Sequence, residues 1–523
     1  MSQLLKSSAA MAVATLTSRL LGMVREMVYA RFMGDGWVAG AFQVAFTMPN
    51  LFRRLLGEGA LTAAFIPVFK EKEKTATAAE MWQAANAVIS GLLVAAAVII
   101  GLVLLGVSLV LHYGAWDAKM HLMLSLLRVM FPYMLPVCLT AVLMGMLNAR
   151  GYYFIPAMGA TMLNVVMIGS VLWLAPRMGR ELHEQIYALA VGVLLAGVVQ
   201  ATFQLPALRR EGFRWAWVSP WRDPTVHRVV RQMIPGTIGV AAFQLNVVLI
   251  QNLGLWLDTP QSPVIAPFNY AVRLMELPQG VFGISVATYL LPTLSGLAAE
   301  KNYAEFRATL RQGMGHLLWV NLLAAVLLVV LAEPIIRLLF EGRRFGPDAT
   351  LRATWALQCL APSLVAYSLV NVLARAFFAL GDTKTPMQIS VVCLAVNLLF
   401  SVLLVRWFRQ GGLGMANTIS SAVNCSLLAY ALRRKLRRLD WAALGGSLNG
   451  LALGAALAAA LAWGIARYWE LRLGHATLLP RLGAVFGPAT IAALAYWWTT
   501  LRLGVPAAGE VTHTILARFG HRR

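Results

Sequence analysis

Charged residues are scarce in this chain: of 523 residues only 13% are Asp, Glu, Lys or Arg, whereas 59% are hydrophobic. Soluble domains carry about 25% charged residues, so this composition does not suit a single water-soluble core. Apolar runs close to the ~20 residues that a helix needs to cross a bilayer recur along the whole chain. The composition therefore predicts an all-α integral membrane protein with many spans.

Motifs for catalysis and for nucleotide binding are also lacking. The sequence contains no Gly-x-x-x-x-Gly-Lys-Ser/Thr loop, no His-Glu-x-x-His, no Asp-x-Asp and no Cys/His cluster. The four cysteines lie apart in apolar segments, where we interpret them as packing residues. We expect a transporter and not an enzyme, with no metal and no cofactor. Its energy would come from an ion gradient, the membrane potential or the substrate gradient.

Basic residues dominate the few charges, with a formal net charge of +22. They cluster in alternate loops, which is the positive-inside pattern of a membrane protein and not a nucleic-acid footprint. Membrane lipids are therefore expected partners and nucleic acid is not. The clusters are Lys70, Lys72 and Lys74; Arg209, Arg210, Arg214, Arg222, Arg228 and Arg231; Arg433, Arg434, Lys435, Arg437 and Arg438; and Arg518, Arg522 and Arg523.

About fourteen spans satisfy the length criterion. An even number places both termini on one side, and the basic loops predict that this side is cytoplasmic. The N-terminal apolar stretch contains Arg19, Arg25 and Glu26, unlike the core of a secretory signal, so we expect the first helix to be retained. The predicted spans are residues 8–33, 39–69, 84–111, 123–148, 153–176, 185–207, 228–256, 265–297, 312–340, 350–380, 385–407, 413–433, 441–468 and 477–502.

An internal repeat divides the chain. ARGYYFIP at 149–156 resembles ALGDTKTP at 379–386, and ALRR occurs at 207–210 and at 431–434. The offsets of about 225 to 230 residues predict two parallel-repeat six-helix lobes. We place these lobes at residues 1–222 and 223–440, and helices 13 and 14 with a basic cytoplasmic tail at 441–523.

Arginines inside the predicted spans are the most informative residues. An Arg at the centre of a span costs about 2.5–3.5 kcal/mol and is tolerated where it faces protein or a water-filled cavity. Because the guanidinium fork donates two parallel hydrogen bonds and stays ionised, these arginines favour an anionic cargo such as a diphosphate. The proposed binding residues are Arg19, Arg25, Arg53 and Arg273, with Glu26, Arg54, Glu58 and Glu276 supporting them.

Two alternatives stay open for these residues and for the helix breakers near them. Arg54 with Glu58, and Arg273 with Glu276, could instead be intrahelical pairs that neutralise each other. Prolines and glycines interrupt predicted helices 2 and 8 and suit either gating or simple packing. The candidate gating residues are Pro49, Gly57, Gly59, Pro278 and Gly280.

The segments SRLLGMVRE, PNLFRRLLGEGALTAAFIPVF, YAVRLMELPQGVFGISVATYLLP and RAFFALGDTKTP resemble the MurJ (MviN) family over essentially the whole chain. That family consists of lipid II flippases of the multidrug/oligosaccharidyl-lipid/polysaccharide exporter superfamily. The resemblance implies a central cationic cavity for the diphosphate, a groove on helices 13 and 14 for the polyprenyl tail, and alternating access by rocking lobes. It assigns the cavity to Arg19, Arg25, Arg53 and Arg273, with Glu26 and Glu276 as acidic partners.

The resemblance has two departures. Many relatives carry Asp where this chain has Gly40, and some carry Asp where it has Val272; Asp35 lies near the first position but is not equivalent. Coupling schemes that need those carboxylates are therefore in doubt here.

The sequence thus predicts an inner-membrane, monomeric flippase that moves lipid II from the cytoplasmic to the periplasmic leaflet. The runner-up is an exporter of another polyprenyl-diphosphate-linked glycan or of drugs. A membrane glycosyltransferase would need Asp-x-Asp motifs, and a division scaffold would not require buried arginines. Cell-wall synthesis or division proteins are further candidate partners.

Overall fold

The computed structural model describes residues 3–55, 61–280, 284–436 and 441–520, and within these ranges the secondary structure is helical, as the composition predicts. The chain forms two compact units, Met1–Ala266 and Pro267–Arg523. The lobe boundary predicted at 222/223 stays a prediction; in the structure, the helix that follows it packs against helices of the first unit.

Among the described residues, the first unit contains nine complete α-helices. They are α1 (Gln3–Met33), α2 (Trp37–Phe52), α3 (Thr62–Thr75), α4 (Ala78–Tyr113), α5 (Ala118–Met130), α6 (Met134–Ala149), α7 (Phe154–Gly169), α8 (Leu182–Arg210) and α9 (Pro224–Leu257). Local sequence explains where several begin. Thr77 and Glu80 form a capping box at α4, and Asp223 caps α9 ahead of a proline at its first position.

The second unit is built from α10 onward. Its helices are α10 (Ile265–Pro278), α11 (Ile284–Ala299), α12 (Tyr303–Val330), α13 (Ala332–Leu339), α14 (Pro347–Leu360), α15 (Ser363–Ala379), α16 (Lys384–Phe408), α17 (Gln410–Leu436), α18 (Trp441–Leu473), α19 (Leu478–Arg502) and α20 (Pro506–Gly520). The last of these was not predicted, since residues after 502 were assigned to a basic tail. Glu510 of α20 accepts a hydrogen bond from Gln312 of α12 at 2.7 Å.

Each predicted span corresponds to one helix or to two consecutive helices. Among the described residues, eight helices are long and apolar enough to cross a membrane, and a pair bent by 42° (α14 with α15) makes nine. The predicted number of fourteen is therefore not confirmed. The remaining predicted spans include α1, which carries several charges, and the two segments in which π-helical turns follow α2 and α10, at residues 53–55 and 279–280.

The internal repeat is visible in the backbone. Gly151 and Gly381, at matching positions of the two repeated motifs, have φ of 86° and 73°. A glycine adopts this left-handed conformation without the steric cost that a Cβ imposes. The residue after each glycine donates its N–H to the carbonyl five residues earlier, Tyr152 to Leu147 and Asp382 to Phe377, both at 2.9 Å. The two halves therefore reverse direction at this loop in the same way.

Side-chain contacts join loops that the topology places on one side. Arg150, in the loop before α7, binds Glu73 at the end of α3 and Glu211 after α8. Arg481 of α19 binds Glu341, in the loop after α13. Both groupings agree with the predicted alternation of loops, whereas which group faces the cytoplasm stays a prediction.

Candidate arginine site

Arg25 is held on α1 by two partners. Its Nη1 donates to Asn164 Oδ1 of α7 at 3.0 Å, and its Nη2 lies 2.5 Å from Glu26 Oε1. The guanidinium carbon also lies 5.5 Å from the centre of the Tyr29 ring. The Arg25 side chain is only 15% exposed and that of Glu26 10%. A buried charge with these contacts is compensated and fixed in orientation.

Asn164 is a site residue that the sequence analysis did not identify. Besides accepting from Arg25, its Nδ2 donates to the carbonyl of Ser18 at 3.0 Å, so it connects α7 to two turns of α1. A polar amide inside the apolar segment ATMLNVVM was the available signal, because such residues connect helices in membranes.

Glu26, expected to be an acidic partner of the arginines, binds the adjacent Arg25 through its carboxylate. Arg19 is partly buried on the same helix.

Arg53 lies where α2 changes its winding. The helix passes from Phe52 into a π-helical turn at residues 53–55, and Arg53 Nε donates to Asn50 Oδ1 at 3.0 Å. Arg54 points to a more exposed side. Such π-helical turns occur frequently at functional sites. The proposed partner Glu58 lies outside the described residues, so the Arg54–Glu58 alternative is not tested.

Arg273 of α10 forms the intrahelical pair that the alternative interpretation predicted. Its Nη1 lies 2.8 Å from Glu276 Oε2, and the two side chains are 42% and 47% exposed. An exposed pair of this kind contributes little to stability, about 0–1 kcal/mol. The pair thus reduces the local charge of α10, and its exposure leaves both groups accessible to an anionic ligand.

Helix breakers lie in or at the end of the first helix of both interrupted pairs, at different distances from the candidate arginine. Pro49 is buried inside α2, Pro278 is the last residue of α10, and Gly280 lies in a second π-helical turn at residues 279–280. Gly57 and Gly59 lie outside the described residues. Both segments therefore combine a proline with a π-helical turn, which contains Arg53 in the first unit and follows Arg273 by six residues in the second.

Gly40, one of the two expected departures from the family pattern, lies against a carboxylate from another helix end. A Cβ added at Gly40 would lie 2.7 Å from Asp258 Oδ2 and 2.6 Å from Ile265 Cγ2. Asp258 is 5% exposed, and its Oδ1 accepts the N–H groups of Val264 and Ile265. An acidic group is thus present beside this part of α2, although it comes from the residue that follows α9. Val272 is partly buried on α10.

The geometry of these residues suits binding and not bond-breaking chemistry. Arg25 and Arg53 are each oriented by an amide side chain, and Arg273 by a carboxylate. Guanidinium groups held in this way can donate paired hydrogen bonds to phosphate oxygens. The comparisons with known proteins agree with a transport protein.

The family model described as Lipid II flippase MurJ matches residues 29–482. The match includes Arg53 and Arg273 and begins after Arg19 and Arg25. A Vibrio cholerae protein named probable lipid II flippase MurJ is 31% identical over 447 residues, covering 82% of this chain and 83% of its own length. The Burkholderia cenocepacia lipid II flippase MurJ is 31% identical over 432 residues, covering 80% of this chain and 82% of its own.

A solved structure has the same fold. It is described as lipid II flippase MurJ in an inward closed conformation and superposes with a TM-score of 0.74. The match covers 94% of this chain and 99% of that one at 20% sequence identity.

Proposed function

Because the chain belongs to the MurJ family of lipid II flippases, we propose that it moves lipid II across the bacterial inner membrane. Lipid II is the undecaprenyl-diphosphate-linked precursor of peptidoglycan, and transfer runs from the cytoplasmic to the periplasmic leaflet. The match of the family model over residues 29–482 carries this conclusion. The chain acts as a transporter, and the cargo leaves it chemically unchanged.

The diphosphate of the cargo binds to Arg19, Arg25, Arg53 and Arg273. The support for this assignment is that partners of known geometry orient three of these guanidinium groups: Asn164 and Glu26 at Arg25, Asn50 at Arg53, and Glu276 at Arg273. Pre-oriented forks lose less freedom when they bind an oxyanion.

Transport proceeds by alternating access. The support is the repeat, together with the π-helical turns next to Arg53 and at Gly280, which are points where a helix can change its winding at low cost. The membrane potential or an ion gradient supplies the energy, no cofactor takes part, and both termini lie in the cytoplasm. Helices α18 and α19 accommodate the polyprenyl tail, and the chain works as a monomer.

The test replaces each of the four arginines with Ala and with Lys. A depletion strain that expresses each variant is scored for growth, for protein abundance and for the amount of lipid II on each leaflet. The Ala variants should lose flipping at near-normal abundance, and the Lys variants should recover little of it because a point charge does not reproduce the bidentate fork.

Arg180→Ala is the matched control, since Arg180 is exposed in the loop before α8 and lies outside the helices assigned to the diphosphate and to the polyprenyl tail. Normal lipid II transfer by all four Ala variants would contradict the assignment of the diphosphate site. Normal growth after depletion of the protein itself would contradict the flippase function.

A further inference from the structure

The segment that joins α8 to α9 carries an unusual concentration of tryptophan. We call residues 213–222 the Trp loop. Its residues Trp215, Trp217 and Trp221 are 49%, 60% and 69% exposed. Three of the 16 tryptophans of the chain thus fall within ten residues that form no helix. Large aromatic side chains exposed together in this way indicate a surface that another molecule covers.

The Trp loop is fixed along one face of α4. The Phe213 ring lies 5.5 Å from the Trp82 ring, Asn86 Nδ2 donates to the carbonyl of Arg214 at 2.9 Å, and Ser90 Oγ accepts the N–H of Val218 at 3.2 Å.

Trp82, Asn86 and Ser90 are four residues apart, so they form one stripe of about 12 Å along the helix. The exposure of the indoles is therefore built into the fold.

The attachment to α4 also indicates the depth of the loop. This helix has 36 residues and is about 54 Å long, which exceeds the hydrocarbon core of about 30 Å. Its exposed apolar side chains Val98, Leu102, Leu105 and Leu109 follow the stretch that binds the loop. The Trp loop lies beside residues 82–90 of α4, which come before this lipid-facing stretch. We therefore place the loop at the level of the lipid head groups. Tryptophan is enriched at this level of membrane proteins.

Cationic side chains surround the indoles. Arg214 and Arg222 in the loop, and Arg209 and Arg210 at the end of α8, are all exposed. The two neighbouring acids are engaged elsewhere: Glu211 accepts from Arg150 and Tyr152, and Asp223 caps α9. The exposed charge is therefore positive, and it complements the phosphate of an anionic lipid.

We propose that the Trp loop is a docking surface for anionic phospholipid head groups of the leaflet that is predicted to be cytoplasmic. The indoles insert at the head-group level, and Arg214 and Arg222 bind the lipid phosphate. This surface attaches the start of α9 to the membrane, and it goes beyond the flipping of lipid II and does not depend on it.

The test uses the purified full-length protein in mixed phosphatidylcholine and phosphatidylglycerol nanodiscs, with bound lipid counted by native mass spectrometry. The wild type should retain phosphatidylglycerol in preference, and added salt should weaken this preference. R214Q/R222Q should lower the apparent affinity for phosphatidylglycerol by about tenfold at low ionic strength, whereas R214K/R222K should keep most of it. R343Q/R344Q is the control, because it removes the same charge from an exposed loop elsewhere.

A second measurement keeps the test independent of the charge variants. Lipids brominated near the head group should quench part of the tryptophan fluorescence of the wild type, and W215F/W217F/W221F should lose that quenched part. Equal retention of both lipids by the wild type, or an equal loss in R343Q/R344Q, would overturn the proposal. Binding of an acidic protein without any preference for phosphatidylglycerol would assign the loop to a protein partner and would also overturn it.

Discussion

Lys435 donates to the Asp382 carboxylate over 2.6 Å. In the first half of the repeat, Glu211 occupies the position of Lys435 and Tyr152 that of Asp382. Glu211 and Lys435 each follow the motif ALRR, and Tyr152 and Asp382 each follow the left-handed glycine of the matching loop. Tyr152 donates to Glu211 over 2.6 Å as well. The contact is thus the same in both units, but the residue after ALRR is the acceptor in one and the cationic donor in the other.

Lys435→Glu should destabilise the second unit, because it places two carboxylates in contact. We expect a loss of about 1–2 kcal/mol, measured as thermal unfolding of the purified protein in detergent. Asp382→Lys combined with Lys435→Glu should restore part of this loss by reforming the pair with reversed charges. The rescue should be partial, since Asp382 also accepts the N–H and the hydroxyl of Thr385.

Arg433→Glu is the matched control, since it makes the same charge change in the last turn of the same helix. It should cost less than 0.5 kcal/mol, as is usual for surface positions. Equal destabilisation by the two Glu variants would show that net charge, and not the pair with Asp382, determines the effect.

The same pair predicts a dependence on pH. The hydrogen bond from Lys435, together with the Thr385 N–H, lowers the pKa of Asp382 to about 2. A lowered carboxyl pKa means that the stabilisation is present above the ordinary Asp value and is lost as pH falls towards the folded value. The difference in melting temperature between the wild type and Asp382→Asn should therefore be constant above pH ~5 and should shrink between about pH 4 and pH 2. A difference that does not change over this range would rule out the Asp382 carboxylate as its source.

Asn164→Ala should clearly lower lipid II transfer and should lower the melting temperature only modestly. The variant removes the acceptor of Arg25 Nη1 and the donor to Ser18, and such an interhelical bond contributes about 1 kcal/mol in membranes. Arg25 then loses the orientation that we propose for diphosphate binding.

The matched control for Asn164→Ala is Gln200→Ala, which removes a bond of the same kind from Gln200 of α8 to Gly159 of α7. Both variants should have similar melting temperatures in detergent, and only Asn164→Ala should lower lipid II transfer. Equal transfer by the two variants would mean that Asn164 has a packing role alone.

Much of this architecture follows from local sequence. Apolar runs located the helices, although the number of membrane spans is not confirmed, and the matching motifs at 149–156 and 379–386 predicted the repeat that the backbone shows at Gly151 and Gly381. Such features depend on residues close together in the chain, so composition and spacing are sufficient to find them.

Contacts between distant segments could not be predicted in the same way. One partner of Arg25 is Asn164, 139 residues away, and the carboxylate beside Gly40 comes from Asp258. The π-helical turn at Arg53 depends on how the interrupted helix packs, and no residue type specifies it. The helix at Pro506–Gly520 was not predicted. A basic segment after the last span was interpreted as a tail, because its packing partners, such as Gln312, cannot be identified from the sequence.

Glu341→Gln should loosen the connection between the loop after α13 and the helix pair α18–α19. Glu341 lies 2.9 Å from Arg481 and 3.5 Å from Arg337, and all three side chains are at most 23% exposed. The variant takes a carboxylate away from Arg481, whereas Arg337 keeps Glu333 and Glu470, so the cost should stay below the about 3–5 kcal/mol of a fully broken buried pair.

The loss at Glu341 should appear as a lower melting temperature and faster proteolysis of the loop at residues 474–477. Arg467→Gln changes a neighbouring exposed pair and should cost below 1 kcal/mol. If both variants melt alike, the Glu341 cluster does not stabilise the loop.

Gly40→Asp should destabilise the protein, although the family resemblance leads us to expect an acidic residue in this segment. A Cβ at residue 40 would lie under 3 Å from both Ile265 and Asp258, so even Gly40→Ala should cost about 1–3 kcal/mol. The Asp variant should cost more, because it adds a second carboxylate beside a buried one. Gly36→Ala is the control: nothing lies within 4 Å of a Cβ there, and the φ of −72° suits any residue. Gly40→Asp with Asp258→Asn should recover part of the loss, measured as melting temperature and as lipid II transfer. Full stability of Gly40→Asp alone would mean that α2 moves away from Asp258 without cost, and the close approach of Asp258 would then not be what requires glycine at residue 40.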